Sequence, residues 1–236
     1  MLDPQADEIP ARIKERLLVD PEIWNVTPSE GVATQERLRS RVDLNDGFGR
    51  IAVVAGVDVS VPRFGKHGKC AIVVLSYPDL DTLETRTHVA PVSFPYVPGL
   101  LAFRELPIFF ETYKLLSNEP DLLLFDGHGY AHPRRFGFAC MAGVLLDKPT
   151  IGCAKSRLIG DYSEPHDKFG SISPLIAPEG DRIGDVVRTK AGSKPVFVSP
   201  GHRISFDTAT SIVLRCTRAH RIPEPTRLAH VLTISD

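Results

Sequence analysis

The stretch between residues 51 and 61, IAVVAGVDVSV, constrains the fold of this chain more than any other segment. Nearly all of its residues are β-branched or small, which is typical of a central strand buried on both faces. Alternation along the strand places Asp58 on the same face as Val54 and Gly56. An unpaired carboxylate there costs several kcal/mol, so Asp58 must be protonated, paired with a cation or bound to a metal.

The segments that follow predict an α/β fold with a mixed sheet. Residues 69–77 and 82–89 are predicted as two antiparallel strands, which form a three-stranded meander with the first strand. Later apolar segments alternate between helical and strand spacing, and the last two strands are predicted to form a hairpin. The predicted helices are 100–116, 135–146, 205–218 and 224–232, and the predicted strands are 122–125, 149–154, 183–189 and 195–198.

The first part of the chain carries two helix signals. Residues 6–19 have helical periodicity. A second helix is predicted to run to about residue 42, with Thr27 as its N-cap and Pro28 at its first position. Glu30 is expected to return the capping bond to Thr27.

The length of the chain, 236 residues, favours one domain over two. We expect an N-terminal extension at residues 1–26, including the first helix, and a single domain at residues 27–236. The formal net charge is -1 and the sequence pI is about 6.7, so a local basic patch must hold any nucleic-acid partner. The basic residues that follow the motifs described below are Arg134, Arg135, Lys155, Arg157, Lys168, Arg188, Lys190, Lys194 and Arg203.

Cysteine usage and hydropathy indicate a cytoplasmic protein. The cysteines form no metal-ligand pattern and are interpreted as reduced thiols. The first residues show no secretory signal, and no apolar run is long enough to span a bilayer. We therefore expect no contact with a membrane.

A second carboxylate, Asp126, ends another apolar strand. Gly127 and Gly129 leave space beside it. Two acids at neighbouring strand ends can share a divalent ion, and magnesium or manganese suits carboxylate oxygens. For a lone Asp58 the competing interpretation is a salt bridge to lysine or arginine. Glu105, inside the apolar helix, is a third candidate, although by itself it is more typical of an exposed helical glutamate.

Three carboxylates on separate elements indicate metal-dependent hydrolysis of a phosphodiester. A bound ion activates a water, neutralises the phosphate and stabilises the leaving alkoxide. A second ion about 4 Å from the first would allow the two-metal version of this reaction. The sequence leaves open whether one ion or two bind.

Several motifs together resemble the Endonuclease V family, and their order and spacing also fit. The resemblance covers roughly residues 27–232. The motifs are VAGVDVSV around Asp58, FPYVPGLLAFRELP at 94–107, FDGHGYAHPRRFG at 125–137, IGCAKSRL at 151–158 and SPGHRIS at 199–205. The resemblance implies a ribonuclease H-like fold, in which helices flank a mixed sheet.

The resemblance also implies an activity, a cofactor and a partner. Members of this family recognise deoxyinosine, the product of adenine deamination, in DNA. They hydrolyse the second phosphodiester bond on its 3′ side and leave a 5′-phosphate, as a step of DNA repair. The implied cofactor is Mg²⁺, with Mn²⁺ also supporting activity, and the expected form of the protein is a monomer.

Catalytic roles follow from the same resemblance, position by position. The implied metal ligands are Asp58, Asp126 and Glu105, and the other implied catalytic residues are Lys155, His132 and His230. The alternative for Lys155 is a surface lysine, but its place at the end of an apolar strand favours a phosphate or water contact. For His230 the resemblance supplies nearly all of the support.

The loop at residues 94–99, FPYVPG, resembles the family's wedge, which inserts where the damaged base leaves the stack. Pro95 and Pro98 restrict the backbone, so Tyr96 is presented rigidly between them. The alternative is an ordinary turn with a packed tyrosine. The base pocket of the family falls on Gly127, Gly137 and Leu158.

His128 departs from the family pattern, since many members carry glutamine in this turn. The change is expected to alter the polarity of the base pocket. His128 and His132 are four residues apart, but the neighbouring glycines and Pro133 argue against a helical zinc site.

Two other functions remain as alternatives at this stage. One is an inosine-specific endoribonuclease, because DNA and RNA substrates differ at a 2′-hydroxyl whose contact residue the sequence does not identify. The other is a non-catalytic nucleic-acid-binding module. The module is disfavoured because Asp58, Glu105 and Asp126 are all present.

Overall fold

An eight-stranded mixed sheet organises the part of the computed structural model that is described, residues 21–62 and 65–235. The helix predicted at residues 6–19 lies outside this part. The strands are β1 Val53–Ser60, β2 His67–Ser76, β3 Thr82–Pro91, β4 Leu122–Phe125, β5 Thr150–Ala154, β6 Ile172–Ile176, β7 Arg182–Val187 and β8 Val196–His202. The helices are α1 Pro28–Arg39, α2 Leu101–Tyr113, α3 Phe138–Leu146, α4 Phe206–Arg215 and α5 Glu224–Ile234. None of these helices is long and apolar enough to cross a membrane.

The strand order is β3-β2-β1-β4-β5-β8-β7-β6. The predicted meander is confirmed, because β1 pairs antiparallel with β2 and β2 pairs antiparallel with β3. The predicted late hairpin is also confirmed as the antiparallel pair of β7 and β8. Parallel pairing of β1 with β4 and of β4 with β5 makes the sheet mixed. The predicted class, a single α/β domain with a mixed sheet flanked by helices, is therefore confirmed.

Strand β1 lies in the middle of the sheet and is buried on both faces, as its composition predicts. Ala55 and Val57 belong to the apolar cluster under α1, α2 and α3. Val54 belongs to the cluster on the opposite face, under α4 and α5. The sequence missed β6, whose Pro174 is unusual in a strand and is tolerated here because β6 is an edge strand.

The starts of α1 and α3 differ in how well the local sequence predicts them. The capping box at α1 is confirmed: the Thr27 amide donates to Glu30 Oε2 at 2.7 Å, and the Glu30 amide donates to Thr27 Oγ1 at 3.4 Å. The predicted start of α3 at residue 135 is wrong. Arg135 has a φ of 54°, outside the helical region, so α3 begins three residues later, after Gly137.

Residues just before α1 pack onto the sheet domain. Pro21–Trp24 forms a short 3₁₀ turn. The Trp24 ring lies 6.3 Å from the Phe103 ring and 5.7 Å from the Phe110 ring, centre to centre, both on α2. A domain boundary at residue 27 stays a prediction.

Helix α5 approaches β1 unusually closely at Gly56. A Cβ atom at Gly56 would lie 2.0 Å from the backbone carbonyl of Pro225, at the start of α5. The helix can therefore rest directly on the strand only because position 56 has no side chain. This contact brings the last turns of α5 over Asp58, two residues further along β1.

We expect Gly56→Ala to destabilise the protein by about 3 kcal/mol, because the added methyl group must displace the α5 backbone. Urea denaturation followed by circular dichroism measures the change. Gly49→Ala is the matched control, since a Cβ there would meet nothing within 4 Å. Equal stability of the two variants would contradict the close approach of α5 to β1.

Candidate active site

The acids predicted from the sequence meet at one end of the sheet. In the parallel pair of β1 and β4, Val57 is the register partner of Phe125. Asp58 and Asp126 each follow these residues, and the Asp126 amide donates to the Val57 carbonyl at 3.1 Å. Adjacent parallel strands therefore deliver both carboxylates to the same edge.

Asp58, Asp126 and His230 form a compact cluster. One possible ligand atom from each of the three lies within 4.8 Å of the others. His230 Nδ1 is 3.2 Å from Asp58 Oδ2, and the Thr233 hydroxyl donates to the same oxygen. The sequence reasoning missed Thr233, although its position three residues after His230 places both on one face of α5.

Glu105 lies close to this cluster without joining it. Among the described residues, the group whose ligand atoms gather contains His230 and not Glu105. Burial, and then the charge of Asp58, raises the pKa of Glu105 to about 8; Arg104 opposes this rise, and Asp126 adds to it. An exposed helical glutamate would show no such effect, so the surface interpretation of Glu105 does not hold.

Lys155 provides the positive charge at the site. It follows β5, and its Nζ lies 2.5 Å from Asp126 Oδ2. Burial raises the pKa of Asp126 and the charge of Asp58 adds to the rise, whereas Lys155 opposes it by hydrogen bond and charge. Asp126 therefore forms a salt bridge with a lysine. Asp58, for which such a bridge was the competing interpretation, contacts His230 and Thr233 instead.

The donor set of the cluster fits a divalent cation that prefers oxygen. Asp58 and Asp126 supply carboxylate oxygens, which suit Mg²⁺ or Mn²⁺. His230 adds an imidazole nitrogen, a ligand that transition metals such as Mn²⁺ accept more readily than Mg²⁺ does. Neither His128 nor His132 belongs to the metal-ligand cluster found among the described residues.

A cavity of about 220 Å³ opens beside Gly127, next to Asp126. Its lining brings together five of the six residues predicted to contact the nucleic acid, and it also includes His132, which was predicted as catalytic. The five are Tyr96, Pro98, Gly127, Gly137 and Leu158. Pro95 is exposed and is not part of the lining.

Gly127 and Gly137, the two glycines predicted in the base pocket, lack a side chain for different structural reasons. A Cβ at Gly127 would meet only Phe138 Cβ, at 3.8 Å, so its hydrogen leaves open space for a ligand. A Cβ at Gly137 would lie 2.5 Å from the His128 carbonyl oxygen. The Gly137 amide already donates to the Gly129 carbonyl at 3.0 Å, so Gly137 shapes the turn through its own backbone packing.

His132 holds the loop that carries Tyr96. Its Nε2 lies 3.1 Å from the Gly99 carbonyl oxygen, and its Nδ1 accepts from the Arg134 amide at 3.2 Å. Nε2 is therefore the protonated nitrogen of a neutral ring. Burial, followed by the charge of Arg134, lowers the pKa of His132 to about 4.

Gly99 is also held by two side chains that the sequence reasoning did not assign. Its carbonyl accepts from Gln35 Nε2 at 3.1 Å and from the Arg134 guanidinium at 2.7 Å. Gln35 is 1% exposed, and its Oε1 accepts from Arg134 Nε at 2.6 Å. Its position three residues before the buried Leu38, on the inner face of α1, was the available signal.

The other end of the loop is held by Arg104, which donates to the Phe94 carbonyl at 2.5 Å. Between these two fixed ends, Tyr96 is 54% exposed. The loop is therefore a rigid projection with an accessible aromatic tip.

Five of the nine listed basic residues, Lys155 and four arginines, lie in ion pairs. Four arginines pair with acids: Arg135 with Glu179 and Asp181, Arg157 with Asp161, Arg188 with Glu164, and Arg203 with Asp147. Lys168, Lys190 and Lys194 are exposed. The local basic patch expected from the sequence stays a prediction, with these three exposed lysines among its cations.

An acid cluster at the carboxyl ends of parallel strands, beside a base-sized cavity, is the layout of a nuclease. The family model described as Endonuclease V matches residues 36–231. An Endonuclease V of Trichormus variabilis is 47% identical over 216 residues, which are 91% of this chain and 97% of the relative.

Solved structures agree with this match. The Endonuclease V of Streptomyces avermitilis has a TM-score of 0.85 and 44% identity, and the alignment covers 90% of this chain and 94% of that one. The Ciona intestinalis Endonuclease V, bound to a 24mer DNA containing an inosine followed by a ribo-adenosine, has a TM-score of 0.78 and 33% identity over 87% of this chain and 95% of that one. The chain belongs to the Endonuclease V family and is a nuclease that acts on phosphodiester bonds.

The neutral His132 makes stability depend on pH. In the unfolded chain its pKa returns to about 6.5, so acid protonates the unfolded state before the folded one. Folded-state stability is complete above that value and falls as the pH drops toward 4. We expect a loss of roughly 2 kcal/mol from about pH 7 to about pH 5 through this residue. The free energy of unfolding in urea should fall less for His132→Gln than for the wild type over this range. If the two proteins lose stability in parallel, His132 is not the group responsible.

Proposed function

We propose that the protein is a metal-dependent endonuclease that recognises deoxyinosine in DNA and hydrolyses the second phosphodiester bond on its 3′ side, in DNA repair. The observation that carries this proposal is the cluster of Asp58, Asp126 and His230 beside the cavity under Tyr96. The Ciona relative, whose bound DNA contains inosine, supports the choice of lesion.

Asp58, Asp126 and His230 would hold the ion, with Mg²⁺ as the proposed cofactor and Mn²⁺ as a substitute. When bound, such an ion neutralises the phosphate and lowers the pKa of an attacking water. Lys155 favours the charged form of Asp126 and offers a cation to the phosphate. Glu105, the third acid predicted as a metal ligand, lies near Asp58 and Asp126 and would add a carboxylate oxygen for the ion.

The cavity and the loop above it suit a base that has left the helix. Enzymes that act at a damaged base extrude it into a pocket and fill the gap in the stack. The cavity of about 220 Å³ is smaller than the usual pocket for a drug-sized ligand and suits a single base. Tyr96, exposed between two fixed loop ends, would occupy the place that the base vacates.

An inosine-specific endoribonuclease is the second candidate. The DNA bound to the Ciona relative carries a ribo-adenosine after the inosine, so that family member accommodates a 2′-hydroxyl there. A purely binding module is disfavoured because Asp58 and Asp126 lie together at one site with Glu105 nearby.

We propose a monomer in the cytoplasm. The reduced state expected of the cysteines is supported by the structure, in which Cys70, Cys140, Cys153 and Cys216 are buried and unpaired. Burial raises the pKa of the Cys70 thiol to about 12, which keeps it unreactive. Size-exclusion chromatography with light scattering measures the oligomeric state.

The decisive experiment compares end-labelled strands that carry one deoxyinosine, one inosine or an unmodified purine. We expect cleavage at the second bond 3′ to deoxyinosine with magnesium or manganese, and none with chelator. Asp126→Asn should lower the rate of cleavage by more than the roughly hundredfold typical of residues that support a metal ligand. Its melting temperature should change little, because the substitution removes a mostly buried charge and the Lys155 side chain that loses its partner is 36% exposed. Equal cutting of modified and unmodified strands refutes the lesion specificity, and faster cutting of the inosine strand favours the ribonuclease.

Tyr96→Ala is expected to weaken binding to a duplex containing deoxyinosine by about 1 to 3 kcal/mol, since a stacking contact is lost. Binding to a single strand with the same lesion should change less, because there is no stack to part. Phe169→Ala is the control, with an aromatic ring of similar exposure, 52% against 54%. Fluorescence anisotropy without metal gives both affinities, and an equal loss on duplex and single strand counts against the wedge.

A further inference from the structure

A second concave surface borders the acid cluster at Lys155. This groove, of about 760 Å³, includes Lys155, Arg157, Tyr162, Lys194 and Phe197 in its lining. It is larger than the cavity beside Gly127, and its lining contains more charged side chains.

The edges of the groove are fixed by one half-buried arginine, Arg221. The Arg221 guanidinium donates to the carbonyl oxygen of Lys155 at 2.5 Å, of Lys194 at 2.7 Å and of Pro195 at 2.7 Å. These carbonyls lie at the end of β5 and just before β8. Arg221 therefore holds two lining lysines at a constant separation, so the groove is a built surface.

The acids inside the groove are already satisfied. Glu164 Oε1 lies 2.6 Å from the Arg188 guanidinium, and Asp167 Oδ1 accepts from the Gly192 amide at 2.8 Å. Lys194 makes no ion pair with any residue of the described ranges. Its charge is consequently available to a phosphate.

Arg157 is the second available cation. Its partner Asp161 has a side chain that is 91% exposed, and such a pair is weak and exchanges easily. The guanidinium carbon of Arg157 lies 5.9 Å from the centre of the Tyr162 ring, and that ring packs edge-on against Phe197 at 5.5 Å. Cations beside aromatic rings are the usual surface for single-stranded nucleic acid.

We propose that this groove binds the nucleotides on the 3′ side of the cut, the segment that carries the new 5′-phosphate. This inference rests on the proposed function. Asp126 stands between the two surfaces: its neighbour Gly127 lines the cavity, and its ion-pair partner Lys155 lines the groove. With the base in the cavity and the reacting bond 3′ to it at the cluster, the strand continues from the cluster into the groove.

The test measures binding without metal, so that no strand is cut. Each single strand carries one deoxyinosine. In the first pair the 3′ flank is about two or about ten nucleotides long, and in the second pair the 5′ flank is varied instead. The wild-type protein should bind the strand with the longer 3′ flank roughly tenfold more tightly than the strand with the shorter one. The double substitution Arg157→Ala with Lys194→Ala should abolish that advantage and leave the short strand unaffected. Its salt exponent on the long strand should be smaller by about 1.4, for two lost phosphate contacts.

The matched control is Arg37→Ala with Lys114→Ala, two cations that line neither surface. This control should keep the full benefit of the longer 3′ flank. The proposal is overturned if the groove variant loses the benefit of the longer 5′ flank, if it weakens both strand lengths equally, or if wild type shows no dependence on 3′ length. Lesion selectivity is read separately, from strands that differ only in deoxyinosine against deoxyadenosine. Its loss would refute the proposed function and leave the flank result intact.

Discussion

The close approach of α5 to β1 at Gly56 supports the rest of the site. Without a side chain at that position, the backbone of Pro225 rests directly on the strand. The following turns of α5 then bring His230 and Thr233 to Asp58. A carboxylate in a core strand would otherwise have no partner, so the packing contact and the functional cluster depend on each other.

The cluster concentrates negative charge that burial alone would disfavour. The pKa of Glu105 is raised to about 8 by burial and by Asp58, with Arg104 acting against the rise and Asp126 for it. Among the residues that the structure describes, Lys155 alone forms an ion pair with Asp126. Such a site is poorly satisfied by the protein itself, which is the expected state of a site that a cation completes.

Both surfaces beside the cluster are held by buried or half-buried side chains that donate to backbone carbonyls. Gln35 and Arg134 hold Gly99 at the end of the loop that carries Tyr96. Arg221 holds the carbonyls of Lys155 and Lys194 at the groove. Because each carbonyl is fixed from the interior, the side chain at the surface is positioned without using its own polar group.

The sequence by itself determined the features that depend on local pattern. The alternation of β1, the capping box at Thr27 and the strand that ends at Asp126 are set by residues close in the chain. Only the tertiary structure decided that His132 holds Gly99 and that Arg135, Arg188 and Arg203 lie in ion pairs. These contacts join residues distant in sequence, so no local periodicity encodes them. Glu105 shows the division most clearly: its position was visible in the sequence, whereas its burial beside two other acids exists only once the sheet and α2 have packed.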